Sequence, residues 1–127
     1  MGAFRVDCLV SQIVDRSRFA EVAGLLVDSG SEYTWIPEKT LESIGVAREK
    51  KDLQFVMANG QIVTRSVGFA ILRVEPHFTI DEVVFAHEGD LLILGARTLE
   101  GLCLTVDPRE KKLVASGPLP AASVSSR

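Results

Sequence analysis

The sequence predicts a small all-β domain, a β-barrel or sandwich with one or two short helices. Three observations carry that expectation. Apolar residues recur with a two-residue period in short runs. Glycine, proline, asparagine and aspartate cut those runs at close spacing. Helix punctuation is confined to short stretches. The chain has 127 residues, enough for one domain that buries about two-thirds of its unfolded surface. With 46% apolar and 24% charged residues, the composition is that of a globular domain, which excludes wholesale disorder.

The elements follow in order. Phe4, Val6, Cys8 and Val10 alternate with Arg5, Asp7, Leu9 and Ser11, the pattern of a half-buried strand. Asp15, Arg16 and Ser17 break the chain, and residues 19–27 resume the apolar pattern, so the pair reads as a β-hairpin. Residues 37–45 read as a two-turn helix. Pro37 suits its first position, Gly45 suits its stop, and Leu41 and Ile44 share a face. Residues 53–57 form a strand, followed by Asn59-Gly60, a strong short hairpin signal. Residues 61–74 form a long strand with a bend near Gly68. Glu75, Pro76 and His77 turn the chain into another strand, 78–86. After the loop 87–90, residues 91–94 form a short buried strand ending at Gly95, and residues 98–102 make a helical turn. Residues 103–106 and 112–115 close the pattern as a last hairpin around Asp107 and Pro108. Residues 1–116 are thus the domain. Residues 117–127, small, polar and proline-containing, read as a disordered tail.

Charge and special residues narrow the function classes. A net charge of −3 with no basic patch argues against a nucleic-acid partner. No window approaches a membrane span, and Arg5 and Asp7 interrupt any leader-like run at the start. Cys8, Cys103, His77 and His87 have no metal-site spacing, so neither metal nor cofactor is expected. Two cysteines read as buried free thiols in a reducing compartment, the cytoplasm. No nucleophile elbow, phosphate loop or dinucleotide fingerprint is present. Lys50-Lys51 and Lys111-Lys112 read as solvated pairs.

The informative tract is Leu25-Leu26-Val27-Asp28-Ser29-Gly30-Ser31. An apolar strand delivers an acid into a tight turn, and an acid at the end of such a run is costly unless it is solvated, paired or used. Gly30 permits the turn and Ser29 can bond nearby backbone. The tripeptide taken alone also fits an ordinary Asx or serine turn.

The wider context resembles the active-site strand of retroviral-type (retropepsin-like) aspartic proteases, in which Asp-Thr/Ser-Gly follows apolar residues. Trp35-Ile36-Pro37, Leu41 and Ile44-Gly45-Val46 are similar to the bacterial and archaeal members of that class. The Asn59-Gly60 hairpin resembles their flap, and Leu92-Ile93-Leu94-Gly95 their second apolar-glycine element. Residues 98–102, 106–107 and 112–114 resemble their C-terminal pattern. The resemblance covers about residues 4 to 115.

It implies a retropepsin-like closed barrel and an aspartic endopeptidase. In such an enzyme two carboxylates held close share one proton, and one activates a water while the other protonates the scissile carbonyl oxygen. The chain offers one Asp in that setting, because Asp107 reads as turn chemistry and Asp90 lacks a following glycine. The resemblance therefore implies a homodimer with one Asp28 from each copy. It places Ser29 as a brace on the opposite copy, and Gly30, Ser31 and Glu32 along a peptide substrate. Met57, Ala58, Asn59 and Gly60 become a flap tip, and Leu92 and Ile93 wall the apolar pockets. Core packing and a plain structural hairpin remain open for the last two sets. Trp35 reads as core at the edge of a pocket. Viral members carry Asp where Glu32 stands and Arg where Ala96 stands, one position before Arg97. Their acid–arginine support is thus not carried over as it stands, and Glu32 with Arg97 is the pair left to replace it. The alternatives are a non-catalytic dimerisation or peptide-binding module of the same fold, and a domain of a larger protein.

Overall fold

The computed structural model describes residues 3–121. The chain is all-β with two short helices. In order, β1 spans Arg5–Ser11, β2 Phe19–Val27, β3 Thr34–Pro37, α1 Glu38–Ser43, β4 Lys50–Val56, β5 Ile62–Val74, β6 His77–Ala86, β7 Ile93–Leu94, α2 Ala96–Gly101, β8 Leu104–Asp107 and β9 Lys112–Ala115. No helix among the described residues is long and apolar enough to cross a membrane.

Six strands form a ring in the order β1-β2-β7-β3-β6-β5, closed by antiparallel pairing of β5 back onto β1 through Leu9–Arg73, Val10–Leu72 and Ser11–Ile71. Closure leaves fewer open sheet edges to manage. Two of the joints, β2 with β7 and β3 with β6, are parallel. The ring encloses Val10, Leu25, Ile36, Leu41, Leu72, Val83, Phe85 and Leu94, all fully buried. β5 serves two purposes. Its first half pairs with β4 (Leu53–Arg65 to Val56–Ile62), and its second half pairs with β6 and β1 inside the ring. The β4–β5 arm therefore extends from the ring as a hairpin over a second apolar cluster of Trp35, Val67, Val84, Ala86 and Ile93.

Several expected elements shift. Pro37 caps α1 rather than opening it, and the strand before it, β3, was not expected at all. The apolar run 91–94 yields only a two-residue strand, Ile93–Leu94, and Leu91 is exposed. The Asn59-Gly60 turn is a three-residue loop: Gly60 donates to the Met57 carbonyl at 2.8 Å, the Met57 amide bonds Gln61, and Gly60 alone takes a positive φ, +85°. A two-residue turn would require a positive φ at Asn59 too. Asn59 instead accepts the Gln61 amide with its side chain. His77 opens β6 instead of sitting in a loop. Of the expected tail, residues 117–121 are exposed without regular structure, and residues 122–127 lie outside the described residues.

Candidate active site

The acid-bearing turn has no regular structure of its own, and it straddles β7. On one side, β2 lies parallel to β7, with Leu26 opposite Ile93 and Val27 opposite Leu94. The Leu26 amide bonds the Leu92 carbonyl at 2.9 Å, and the Asp28 amide bonds the Leu94 carbonyl at 3.1 Å. On the other side, the Ala96 and Arg97 amides donate to the Ser31 and Glu32 carbonyls at 2.7 and 3.2 Å. Gly95 lies so close beneath that a β-carbon there would strike the Tyr33 carbonyl. Only glycine lets the two backbones meet at this point.

The Asp28 carboxylate is oriented within its own turn. Oδ1 accepts the Gly30 amide at 3.0 Å, and Oδ2 accepts the Ser31 hydroxyl at 2.9 Å. Asp28 is half-buried and opens on a cleft of about 600 Å³ beneath the β4–β5 hairpin. Gly30, Ser31, Glu32, Met57, Ala58 and Ile93 line the same cleft. Asn59, Gly60 and Leu92 do not; the first two form the exposed hairpin tip, and Leu92 packs between the two apolar clusters. Ser29 faces away, into a separate hollow of about 520 Å³ lined by α2 and β8. Ser31, expected against substrate, spends its hydroxyl on Asp28.

Tyr33, Trp35, Phe55 and Leu91 complete the apolar wall and were not assigned to it from the sequence, apart from Trp35 at its edge. Phe55, on the hairpin, meets Tyr33 and Trp35 edge-on, with ring centroids 5.4 and 5.3 Å apart. Edge-to-face packing of this kind adds about 0.5–1.5 kcal/mol to area burial, so the hairpin is fastened to the cleft floor. The sequence signal was the aromatic pair directly after the motif.

A buried polar chain supports the turn from below. The Gly95 amide donates to Thr34 Oγ1 at 2.9 Å, Thr34 meets Thr98 Oγ1 at 2.6 Å, and Thr98 donates to Asp81 Oδ2 at 2.8 Å. Because the carboxylate only accepts, Thr98 spends its proton there and Thr34 must donate to Thr98. Both threonines are fully buried, and among the described residues no buried side-chain polar atom lacks a partner. The chain ties β3, β7, α2 and β6 together. Polar residues inside apolar runs were its only trace in the sequence.

Arg97 does not pair with the Glu32 side chain. It bonds Glu82 at 3.1 Å, lies 4.0 Å from Asp81, and stacks 5.0 Å over the Tyr33 ring. Lys50 is exposed, as expected, and also bonds Glu82 from the other side at 3.0 Å. Burial pushes the Glu82 carboxyl up, but the Lys50 and Arg97 bonds outweigh it and hold it below its ordinary 4.5. Asp90 is held below its ordinary 3.8, first by the bonds from Arg65. Cys8 is buried in the core, and burial pushes its thiol up to about 12, so it is inert at neutral pH. Cys103, expected to be buried, is half-exposed at φ +61°. No group of three or more His, Cys, Asp or Glu side chains among the described residues stands where it could hold a metal ion.

Asp28 thus follows the end of β2 at the edge of a cleft, with the Gly30 amide and the Ser31 hydroxyl aligning its oxygens. Residues 20–98 match the family described as aspartyl protease, more than half of the chain. The chain belongs to the aspartyl protease family. The matched span runs from β2 through the acid-bearing turn and the hairpin to α2. It therefore holds every lining residue of the cleft, and leaves out β1, β8 and β9. No match is found among curated proteins.

Two outcomes follow from this supporting shell. Thr98→Val leaves Thr34 without an acceptor and Asp81 Oδ2 without its donor, so unfolding free energy in urea falls by about 1–3 kcal/mol; an unchanged value contradicts the relay. Glu82 and Asp90 both have lowered folded values, so their contribution to stability is complete above the ordinary carboxylate range. It is lost as pH falls from 4.5 and 3.8 through the lowered values. The wild-type midpoint in urea should therefore drop more steeply below about pH 4.5 than that of the Glu82→Gln, Asp90→Asn double variant. Parallel pH curves contradict it.

Proposed function

We propose that the chain is an aspartic endopeptidase whose active site forms between two copies, each supplying Asp28. The observation that carries the reading is the single oriented carboxylate. Asp28 opens on the cleft with its oxygens aligned by Gly30 and Ser31. Among the described residues, no hydrogen bond joins it to a second acid of the same chain. Asp90 is occupied by Arg65, and Asp107 caps its own turn by accepting the Arg109 and Glu110 amides. A two-fold pairing that brings two Asp28 turns together supplies the missing partner.

In the proposed mechanism the two carboxyl groups share one proton, since like charges at close range resist double ionisation. The ionised one takes a proton from a water lying between them, and that water's oxygen attacks the peptide carbonyl carbon. The protonated one gives its proton to the carbonyl oxygen. Collapse of the tetrahedral species breaks the C–N bond, and the leaving nitrogen takes a proton from the pair. No covalent enzyme intermediate forms. Gly30 exposes backbone for an extended peptide, the hairpin covers it and excludes water, and Ser29 faces the hollow beside α2 where a second copy would meet the turn. The walls of Tyr33, Trp35, Phe55, Met57, Leu91 and Ile93 favour apolar side chains beside the cut.

Peptide-library cleavage over a range of protein concentrations tests the reading, with mass in solution recorded in parallel. Specific activity should rise as the mass climbs to twice 13.8 kDa. Asp28→Asn should lower kcat by about 10²–10⁴-fold or more while leaving that mass unchanged. Cleavage that survives Asp28→Asn, or a confirmed dimer that cleaves nothing, overturns the proposal, and the second result points to a peptide-binding module.

A further inference from the structure

One ion pair joins the hairpin to the loop that leads into Leu91 of the cleft. Arg65 lies on β5, in the arm of the hairpin, opposite Leu53. Asp90 lies in the loop between β6 and β7. Arg65 Nε donates to Asp90 Oδ2 at 2.8 Å, and a terminal guanidinium nitrogen donates to Oδ1, also at 2.8 Å. The two side chains are only 12% and 13% exposed. Asp90 Oδ2 also accepts the His87 amide at 2.7 Å, while the Asp90 amide bonds the His87 carbonyl at 3.0 Å. Both carboxylate oxygens are thus taken, and the loop is drawn into one conformation.

The next residue is Leu91. It is 58% exposed and lines the cleft. One residue further, the Leu92 carbonyl is held by the Leu26 amide near the end of the acid-bearing strand. Leu91 is therefore suspended between two fixed points, one on the floor and one on the hairpin arm. Val56 and Met57 of the same hairpin line the cleft. A desolvated ion pair adds little net stability compared with a well-packed apolar pair. A bidentate guanidinium–carboxylate contact does specify distance and angle.

We propose that Arg65–Asp90 is a latch between the hairpin and the cleft wall, which holds the hairpin down over Trp35 and sets the space beside Leu91 for an apolar peptide side chain. Both residues are positioning residues; neither touches Asp28. The hairpin part of the latch stands on geometry alone, and the peptide part rests on the endopeptidase reading above.

The protein carries its own reporter. Trp35 is its one tryptophan, 6% exposed, and it lies on the cleft floor against Phe55 of the hairpin. Acrylamide quenching of its fluorescence measures how firmly the hairpin is down, with or without catalysis. Asp90→Asn removes the charge, and Arg65→Lys keeps the charge but not the fork. Each should raise the quenching constant by about twofold or more through local opening, while the far-UV circular dichroism of the folded protein stays as it is. The two variants guard against a substitution that simply fails to fold. Unchanged quenching in both folded variants overturns the latch, whatever the enzyme does. In cleavage assays the variants should raise KM about five- to tenfold for peptides with a large apolar side chain and leave kcat within about twofold, the pattern of lost ground-state positioning. Discrimination between leucine- and alanine-bearing peptides should fall alongside. A loss confined to kcat with discrimination intact overturns the pocket half of the proposal. Raised quenching in a protein that cleaves no peptide leaves the latch standing and removes the endopeptidase reading instead.

Discussion

The grip of β7 on the acid-bearing turn is the constraint on which the rest of the site depends. Two residues, Ile93 and Leu94, lie between β2 and β3 and are buried. The carbonyl of Leu94 fixes the Asp28 amide, and the amides just beyond Gly95 fix the Ser31 and Glu32 carbonyls. A six-residue turn is otherwise among the most mobile parts of a fold. Here both of its flanks are hydrogen-bonded into the ring, so the orientation of the carboxylate is inherited from the sheet. Glycine at 95 is the steric condition for that contact, because the chains pass too closely for a β-carbon.

The polar groups around this grip form two layers with different chemistry. The inner layer, Thr34, Thr98 and Asp81, is dry and directional, and every donor has one acceptor. It fixes β3 against α2. The outer layer, Lys50, Glu82 and Arg97, is partly wet and joins the root of the hairpin to α2 across β6. Exposed pairs of this kind stabilise little, but together with the Arg97–Tyr33 stack they set where the hairpin begins. Arg65 and Asp90 do the same further along the arm. The hairpin is thus anchored along its length, while its tip at Asn59 and Gly60 is exposed.

How much of this was legible in the sequence depended on whether a segment has one wet face. β1, β2, β5 and β6 alternate between core and surface for much of their length, and the two-residue period revealed them. β3 and β7 lie inside the sheet with both faces covered, so they carry no period; β3 was missed and β7 was drawn twice too long. The Asp28 motif was legible because an acid, a serine and a glycine sit directly after an apolar strand. Its neighbours Ser31 and Glu32 line the same cleft; what the motif did not reveal is that the Ser31 hydroxyl bonds Asp28 and that the Glu32 carbonyl accepts the Arg97 amide. The supporting shell was not legible. Thr34 and Thr98 are 64 residues apart, Arg65 and Asp90 are 25 apart, and no local pattern links them. Such pairs exist only once the ring has closed.

The central claim is that one site is built by two copies of Asp28, and subunit mixing tests it most directly. Wild type at fixed concentration is combined with an equal amount of Asp28→Asn and allowed to exchange before cleavage is measured. If each site needs both carboxyl groups, random pairing leaves about half of the wild-type chains in active pairs, and activity falls to about half. Activity that stays at the wild-type level through the whole titration, in a preparation whose mass shows dimers, contradicts the account and gives the chemistry to a single chain.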